Sequence, residues 1–334
     1  MPGPTQSATR KNVLVFRELP IDQLARLQEL HDVTVANPRV PAQARAFDAA
    51  LSTTQGMIGS SFRIGSDLLD RAPQLEVISS VSVGVDNYGL PALAARGIAL
   101  CHTPGVLTET TADTIFSLIM ASSRRLVELA NLVREGHWTR NIGDELFGWD
   151  VHGKTLGILG FGRIGRALAR RAALGFGMPV LYHNLQPVDV AAELPELIGK
   201  VCQASLDELL QRADIVAVVL PLSSETRGLM GAREFGLMKA GAIFVNGARG
   251  AIVQEDALLH ALDHGNLRAA GLDVFATEPL PLDSALRRHA KVTALPHIGS
   301  ATLETRRAMA VLATSNLLDA LAGRQAAGLF NLPS

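Results

Sequence analysis

The sequence predicts an α/β protein of two doubly wound parallel-sheet domains, the second inserted into the first. Three observations point there. Short apolar runs alternate with amphipathic helical segments along nearly the whole chain, a glycine-rich loop opens the second series of such runs, and a long helical stretch follows after the alternation has ended. Strands alternating with helices imply a parallel sheet covered on both faces. The length of 334 residues fits two domains at roughly 100 to 200 residues each.

In order, "NVLVF" at 12–16, the amphipathic "IDQLARLQELHD", "VTVAN", "LEVISSVSVGVDN" and "GIALCHTP" read as the strands and a helix of the first sheet. Between 104 and 136 the pattern turns helical. "TADTIFSLIMASSRRLVELANLV" places apolar residues at three- and four-residue steps and predicts one long bridging helix. Six strands are then expected, in "KTLGILG", "PVLYHN", "DIVAVVL", "AIFVNGA", "RAAGLDVF" and "KVTALP", with helices such as "SLDELLQRA" and "EDALLHALDHG" between them. Ser205 and Glu208 have capping-box spacing. "SATLETRRAMAVLATSNLLDALAG" is too long for a seventh unit and is expected to return to the first domain. The first domain is therefore expected at 1–104 plus 298–334, and the second at 105–297.

Composition excludes several classes. With 31 basic against 32 acidic residues there is no global preference for nucleic acid or anionic membrane, and 4% aromatics without an interleaved basic block argue against a single-stranded nucleic-acid platform. No apolar run approaches the roughly 18 residues that span a bilayer. "MPGPTQSATR" is small and polar, lacks the apolar core of a secretion signal, and reads as a loose tail. Two cysteines, Cys101 and Cys202, are expected to be semi-buried thiols of a protein in a reducing cytoplasm.

"TLGILGFGRIGRALARRAA" places Gly160, Gly162 and Gly165 in G-x-G-x-x-G spacing, after an apolar strand and before a helix. The first glycine permits a tight turn, the second lets the backbone approach a pyrophosphate, and the third lets helix pack on strand, so that the helix start faces the anion. The second domain is accordingly expected to be a Rossmann dinucleotide-binding domain. An NAD-binding unit usually carries Asp or Glu about 20 residues further on, for the ribose hydroxyls. Here "VLYHNLQP" has His183, Asn184 and Gln186, with no carboxylate before Asp189. Without that anion a 2′-phosphate is not repelled, so NADP is expected, with NAD as second choice. Arg163, His183, Asn184 and Gln186 are the candidate partners, and Leu185 occupies the place where a phosphate clamp would be convenient.

Three further segments end strands of this domain, at the edge where open α/β sheets bind ligands. "FVNGARG" ends with Arg249, "GLDVFATEP" carries Asp273 and Glu278, and "TALPHIG" carries His297. Each is commonplace alone. Together they suit the reduction of a 2-keto acid, which needs a hydride donor, a cation for the substrate carboxylate and an acid for the developing alkoxide. Arginine offers a two-pronged match to a carboxylate. Histidine titrates near neutral pH, at about 6.5 unperturbed, and a carboxylate beside it favours the imidazolium. Glu278 would orient and charge His297, while Asp273 is a structural or nicotinamide-side carboxylate.

"GILGFGRIG", "VNGARG", "LDVFATEP" and "PHIGSAT", in that order, resemble the D-isomer-specific 2-hydroxyacid dehydrogenase family, over most of the chain from about 75 to 320. Residues 80–125 with "DVHGKTLGILGFGRIGRALARRA" look most like its glyoxylate/hydroxypyruvate and 2-ketogluconate reductase branch. The resemblance implies Arg249, Glu278 and His297 as catalytic residues, and substrate-carboxylate contact by backbone N–H groups at Val83 and Gly84. It further implies that Thr108 lies by the nicotinamide, that Pro221 and Ala248 line the cofactor, and that Ile164, Thr226 and Gly299 belong to the same site. Its implied reaction converts small 2-keto acids to D-2-hydroxy acids. The branch often has an arginine after the second strand, which Leu185 replaces here. The implied partner is a second copy of the chain, paired through 132–150, where Trp138, Phe147 and Trp149 read as exposed. A cofactor-sensing corepressor on the same fold is the rival class, and the retained Arg249, Glu278 and His297 weigh against it. Phosphoglycerate dehydrogenase is the rival enzyme, and nothing basic near Val83 offers it a phosphate pocket.

Overall fold

The computed structural model describes residues 9–332. The chain divides into two compact units, Met1–Leu107 with Thr302–Ser334, and Thr108–Ala301. The sequence-expected crossings near 104 and 297 compare with changes of unit after Leu107 and Ala301. Most of the segment read as a loose tail, residues 1–8, lies outside the described residues. Arg10 is tethered rather than loose: its guanidinium binds Asp32 at 2.9 Å and the carbonyls of Gln28, Glu29 and His31.

The first unit holds five strands, β1 (Asn12–Val15), β2 (Asp32–Val35), β3 (Gly56–Gly59), β4 (Val77–Ser80) and β5 (Ala99–Cys101), in the order β2-β1-β3-β4-β5 and all parallel. Every residue of β3 and β4 is buried, as in parallel sheets covered on both faces. β3 was not expected from the sequence, because "GMIG" offers only two apolar residues between glycines and no period to read. The helix Leu303–Leu321 packs on this sheet: a side chain added at Gly56 would meet Leu321 at 2.9 Å, and Ser79 donates to the Ala313 carbonyl at 2.7 Å.

The second unit holds seven parallel strands, β6 (Leu156–Leu159), β7 (Val180–His183), β8 (Val201–Gln203), β9 (Ile215–Val218), β10 (Ala242–Asn246), β11 (Leu267–Leu272) and β12 (Val292–Ala294). Their order is β12-β11-β10-β9-β6-β7-β8. From β6 to β11 this is the doubly wound dinucleotide-binding order, with its switch point between β6 and β9. The six expected strands are joined by β8, an edge strand of three residues, two of them exposed, too short to show a pattern.

The single bridging helix is instead two, Thr108–Arg124 and Leu126–Arg134. Arg125 between them is left-handed, with φ 55°, and the Ser123 carbonyl accepts the N–H of Trp149 at 2.8 Å rather than continuing the helix. Both oxygens of Glu128 hold the Arg125 guanidinium. Trp149, read as exposed, is only partly so, and the Arg268 guanidinium lies 3.5 Å over its ring.

The two cysteines differ from the expectation in opposite senses. Cys101 is fully buried, which pushes its thiol up to about 11, and Cys202 is exposed. Among the described residues no helix is long and apolar enough to cross a membrane.

Candidate active site

A parallel sheet delivers the ends of all its strands to one edge, so the second unit collects its functional loops there. At the exit of β6, Gly160 turns the chain with φ 101°, a conformation that favours glycine. Gly165 lets the helix Arg163–Arg170 pack tightly, because a Cβ there would lie 2.2 Å from the Gly160 carbonyl oxygen. A Cβ at Gly162 would meet nothing within 4 Å. The helix therefore starts against open space, with the unpaired N–H groups of its first turn facing it. The glycine loop thus fits a dinucleotide pyrophosphate. Arg163 is exposed at this helix start, and Ile164 is half-buried beside it.

The exit of β7 is occupied by internal bonds. Asn184 Oδ1 accepts the Phe161 N–H of the glycine loop at 3.2 Å, and its Nδ2 donates to the Gln186 carbonyl at 2.8 Å. His183 Nδ1 pairs with the Ala204 carbonyl at 3.2 Å. Leu185 and Gln186 are exposed. Beyond β9, Thr226 donates to the Pro221 carbonyl at 2.7 Å and accepts the Ser223 N–H, closing that loop on itself.

The exit of β10 carries Arg249. Asn246, 1% exposed, closes the turn from both sides: its Oδ1 accepts the Ala248 N–H and its Nδ2 donates to the Arg249 carbonyl, each at 3.0 Å. The guanidinium itself donates to the Ala248 carbonyl at 2.8 Å, and its charge acts on Glu278.

Glu278 and His297 meet. His297 Nδ1 lies 2.7 Å from Glu278 Oε2, while Glu278 Oε1 accepts the Phe275 N–H at 3.0 Å. Burial raises the Glu278 pKa, but the His297 hydrogen bond, the Phe275 N–H and the charges of His297 and Arg249 outweigh it, and the carboxyl sits below its ordinary range. His297 has φ 54°, a left-handed conformation that a residue with a side chain keeps only when its surroundings hold it. Asp273 supplies the hold. It is 2% exposed, and its two oxygens accept the N–H groups of Ile298 at 2.7 Å and Gly299 at 2.8 Å, the two residues after His297. Burial raises its pKa against the pull of those two N–H groups and of His297.

The other expected residues lie apart from this cluster in sequence. Thr108 is the first residue of the helix Thr108–Arg124. Val83 and Gly84 are in the first unit, on the loop after β4. There Ser82 donates to the Gly84 carbonyl at 2.7 Å, and His102 Nδ1 pairs with the Val83 carbonyl at 3.0 Å. The sequence reading missed Asn246, although a polar residue ending the apolar run "AIFV" was a legible sign of a buried turn closure. It left open what Asp273 does, because nothing local says which backbone a carboxylate will reach 25 residues on.

Residues 116–299 match the family model described as D-isomer specific 2-hydroxyacid dehydrogenase, NAD binding domain. The chain is 48% identical over 315 residues, 94% of its length and 96% of the relative's, to a glyoxylate/hydroxypyruvate reductase B of Citrobacter koseri. Among solved structures, the TT0316 protein of Thermus thermophilus is 42% identical with a TM-score of 0.86, covering 96% of this chain and 100% of that one. An NADPH-dependent glyoxylate/hydroxypyruvate reductase of Sinorhizobium meliloti, in complex with NADP and malonate, is 31% identical with a TM-score of 0.85, covering 96% and 97%. With its dinucleotide-type glycine loop and its histidine–glutamate pair at one sheet edge, the chain belongs to the D-isomer-specific 2-hydroxyacid dehydrogenase family.

Proposed function

We propose that the chain is an NAD(P)H-dependent reductase of small 2-keto acids, of the glyoxylate, hydroxypyruvate or 2-ketogluconate kind, yielding D-2-hydroxy acids. The observation that carries this is the 2.7 Å pairing of His297 Nδ1 with Glu278, at the same sheet edge as Arg249 and the glycine loop. The bound nicotinamide would supply the hydride. With Nδ1 held by the carboxylate, His297 Nε2 is the nitrogen left to donate a proton to the substrate oxygen, and Glu278 stabilises the imidazolium beforehand. Arg249 offers a substrate carboxylate its planar fork, and in the first unit the N–H groups at Val83 and Gly84 are carboxylate donors on the same reading. On this reading the second unit binds the dinucleotide through Gly160, Gly162 and Gly165, with Thr108, Ile164, Pro221, Thr226, Ala248, Asp273 and Gly299 around it. The first unit binds substrate.

NADP is the preferred cofactor in this reading. The exit of β7 presents no carboxylate to repel a 2′-phosphate, and Arg163, His183, Asn184 and Gln186 are the candidates to meet the phosphate, Asn184 being bonded to the glycine loop as well. Pairing of two copies through 132–150 belongs to the same reading. The helix Leu126–Arg134 buries none of its residues, and Val133, Trp138 and Phe147 are 51–59% exposed.

The test is NADPH oxidation with glyoxylate, hydroxypyruvate and 2-ketogluconate, repeated with NADH. A protein that binds the cofactor but turns over no 2-keto acid defeats the reading. A single-copy mass in solution defeats the pairing.

A further inference from the structure

Glu255 has no part in the chemistry proposed above. It opens the helix Glu255–Asp263, in the segment that leads directly out of Arg249. Its carboxylate leaves that segment and crosses to another: Glu255 Oε1 accepts the N–H of Ala276 at 2.8 Å, on the loop that carries Glu278. The adjacent N–H, of Phe275, is accepted by Glu278 itself at 3.0 Å. Two consecutive amides are thus held by two carboxylates, one from each segment. Between them the backbones touch, because a Cβ at Gly250 would lie 1.8 Å from the Phe275 carbonyl carbon. The run beginning at Arg249 and the loop ending at Glu278 are therefore joined at two points, the Gly250–Phe275 contact and the Glu255–Ala276 hydrogen bond.

We infer that Glu255 is a positioning residue, whose hydrogen bond to the Ala276 N–H fixes the 275–278 loop against the 249–255 segment and so sets Glu278 relative to Arg249. This rests on the reductase reading for its kinetic consequence. The bond needs an acceptor at that place rather than a charge, so an amide oxygen serves equally. Small misplacements of catalytic groups are costly to turnover, which gives a residue that touches no substrate a measurable effect.

The experiment compares Glu255→Ala and Glu255→Gln in the full chain. Glu255→Ala is expected to lower kcat/KM for glyoxylate about tenfold, mostly in kcat, with the KM for NADPH within about twofold of wild type. Hydrogen exchange of the 274–279 segment is expected to quicken in the same variant. Glu255→Gln is expected to restore both. Alanine and wild-type proteins alike in exchange overturn the inference, and so does a glutamine variant as impaired as the alanine one. Should the wild-type protein reduce no 2-keto acid, the reductase reading fails, while the exchange comparison still decides whether Glu255 holds the loop.

Discussion

Two histidines stand at the carboxyl edge of the seven-stranded sheet, on either side of the switch point, and they are built differently. His183 ends β7 and its Nδ1 pairs with a backbone carbonyl, that of Ala204, at 3.2 Å. His297 follows β12, is held in a left-handed conformation, and pairs with the Glu278 carboxylate at 2.7 Å. A carbonyl fixes a ring but carries no charge to balance a proton. A carboxylate does both, and here it is itself kept ionised by the Phe275 N–H and the Arg249 charge. Two histidines at strand ends of one edge thus differ in partner, a neutral carbonyl against a carboxylate.

The largest break in that comparison is His297→Ala, expected to lower turnover by a factor on the order of 10²–10⁴ with the KM for NADPH largely retained. Steady-state kinetics at saturating cofactor check it, and unchanged turnover removes the acid role. Arg249→Lys keeps a charge but loses the fork; kcat/KM for the keto acid is expected to fall roughly thirtyfold, in line with about 2 kcal/mol for a charged hydrogen bond. Asn184→Asp sharpens the other side. It keeps an acceptor for Phe161 while placing an anion where the ribose would lie, and the NADP/NAD ratio of kcat/KM is expected to shift about tenfold toward NAD. An unaltered ratio means that the 2′-position is read elsewhere.

A smaller effect separates the pairs by pH. Because the Glu278 pKa is lowered in the fold, its stabilising contribution is present above the ordinary glutamate range and is lost as pH falls through the folded value. Glu278→Gln is expected to lose less melting temperature than wild type on acidification below about pH 4.5. A parallel decline in the two proteins contradicts the shift. Last, His183→Gln is expected to change turnover by less than about twofold, since it removes one hydrogen bond to a carbonyl. A loss comparable to that of His297→Ala would erase the distinction.

Much of this was legible in the chain. Arg249, Glu278 and His297 were recognisable because each ends an apolar strand-like run, and a parallel sheet sends all such ends to one edge. The long helix was misread as continuous because its apolar period persists through Arg125, and the break comes from Trp149, 24 positions away, taking the Ser123 carbonyl. Asn184 was legible as a missing carboxylate but not as a side chain already bonded to Phe161.

Periodicity, strand ends and glycine spacing, which depend on neighbours a few residues apart, were enough for the sequence alone to determine the two parallel sheets, the glycine loop after β6 and the chemical types of the groups proposed as catalytic. What only the tertiary structure decided is which polar atoms answer one another: Asp273 for the backbone after His297, Asn246 for the Arg249 turn, Glu255 for Ala276, Asn184 for the glycine loop. The reason is physical. A buried or loop-bound polar group must find a partner wherever the packed chain happens to offer one, and hydrogen bonds between distant segments leave no period in the sequence.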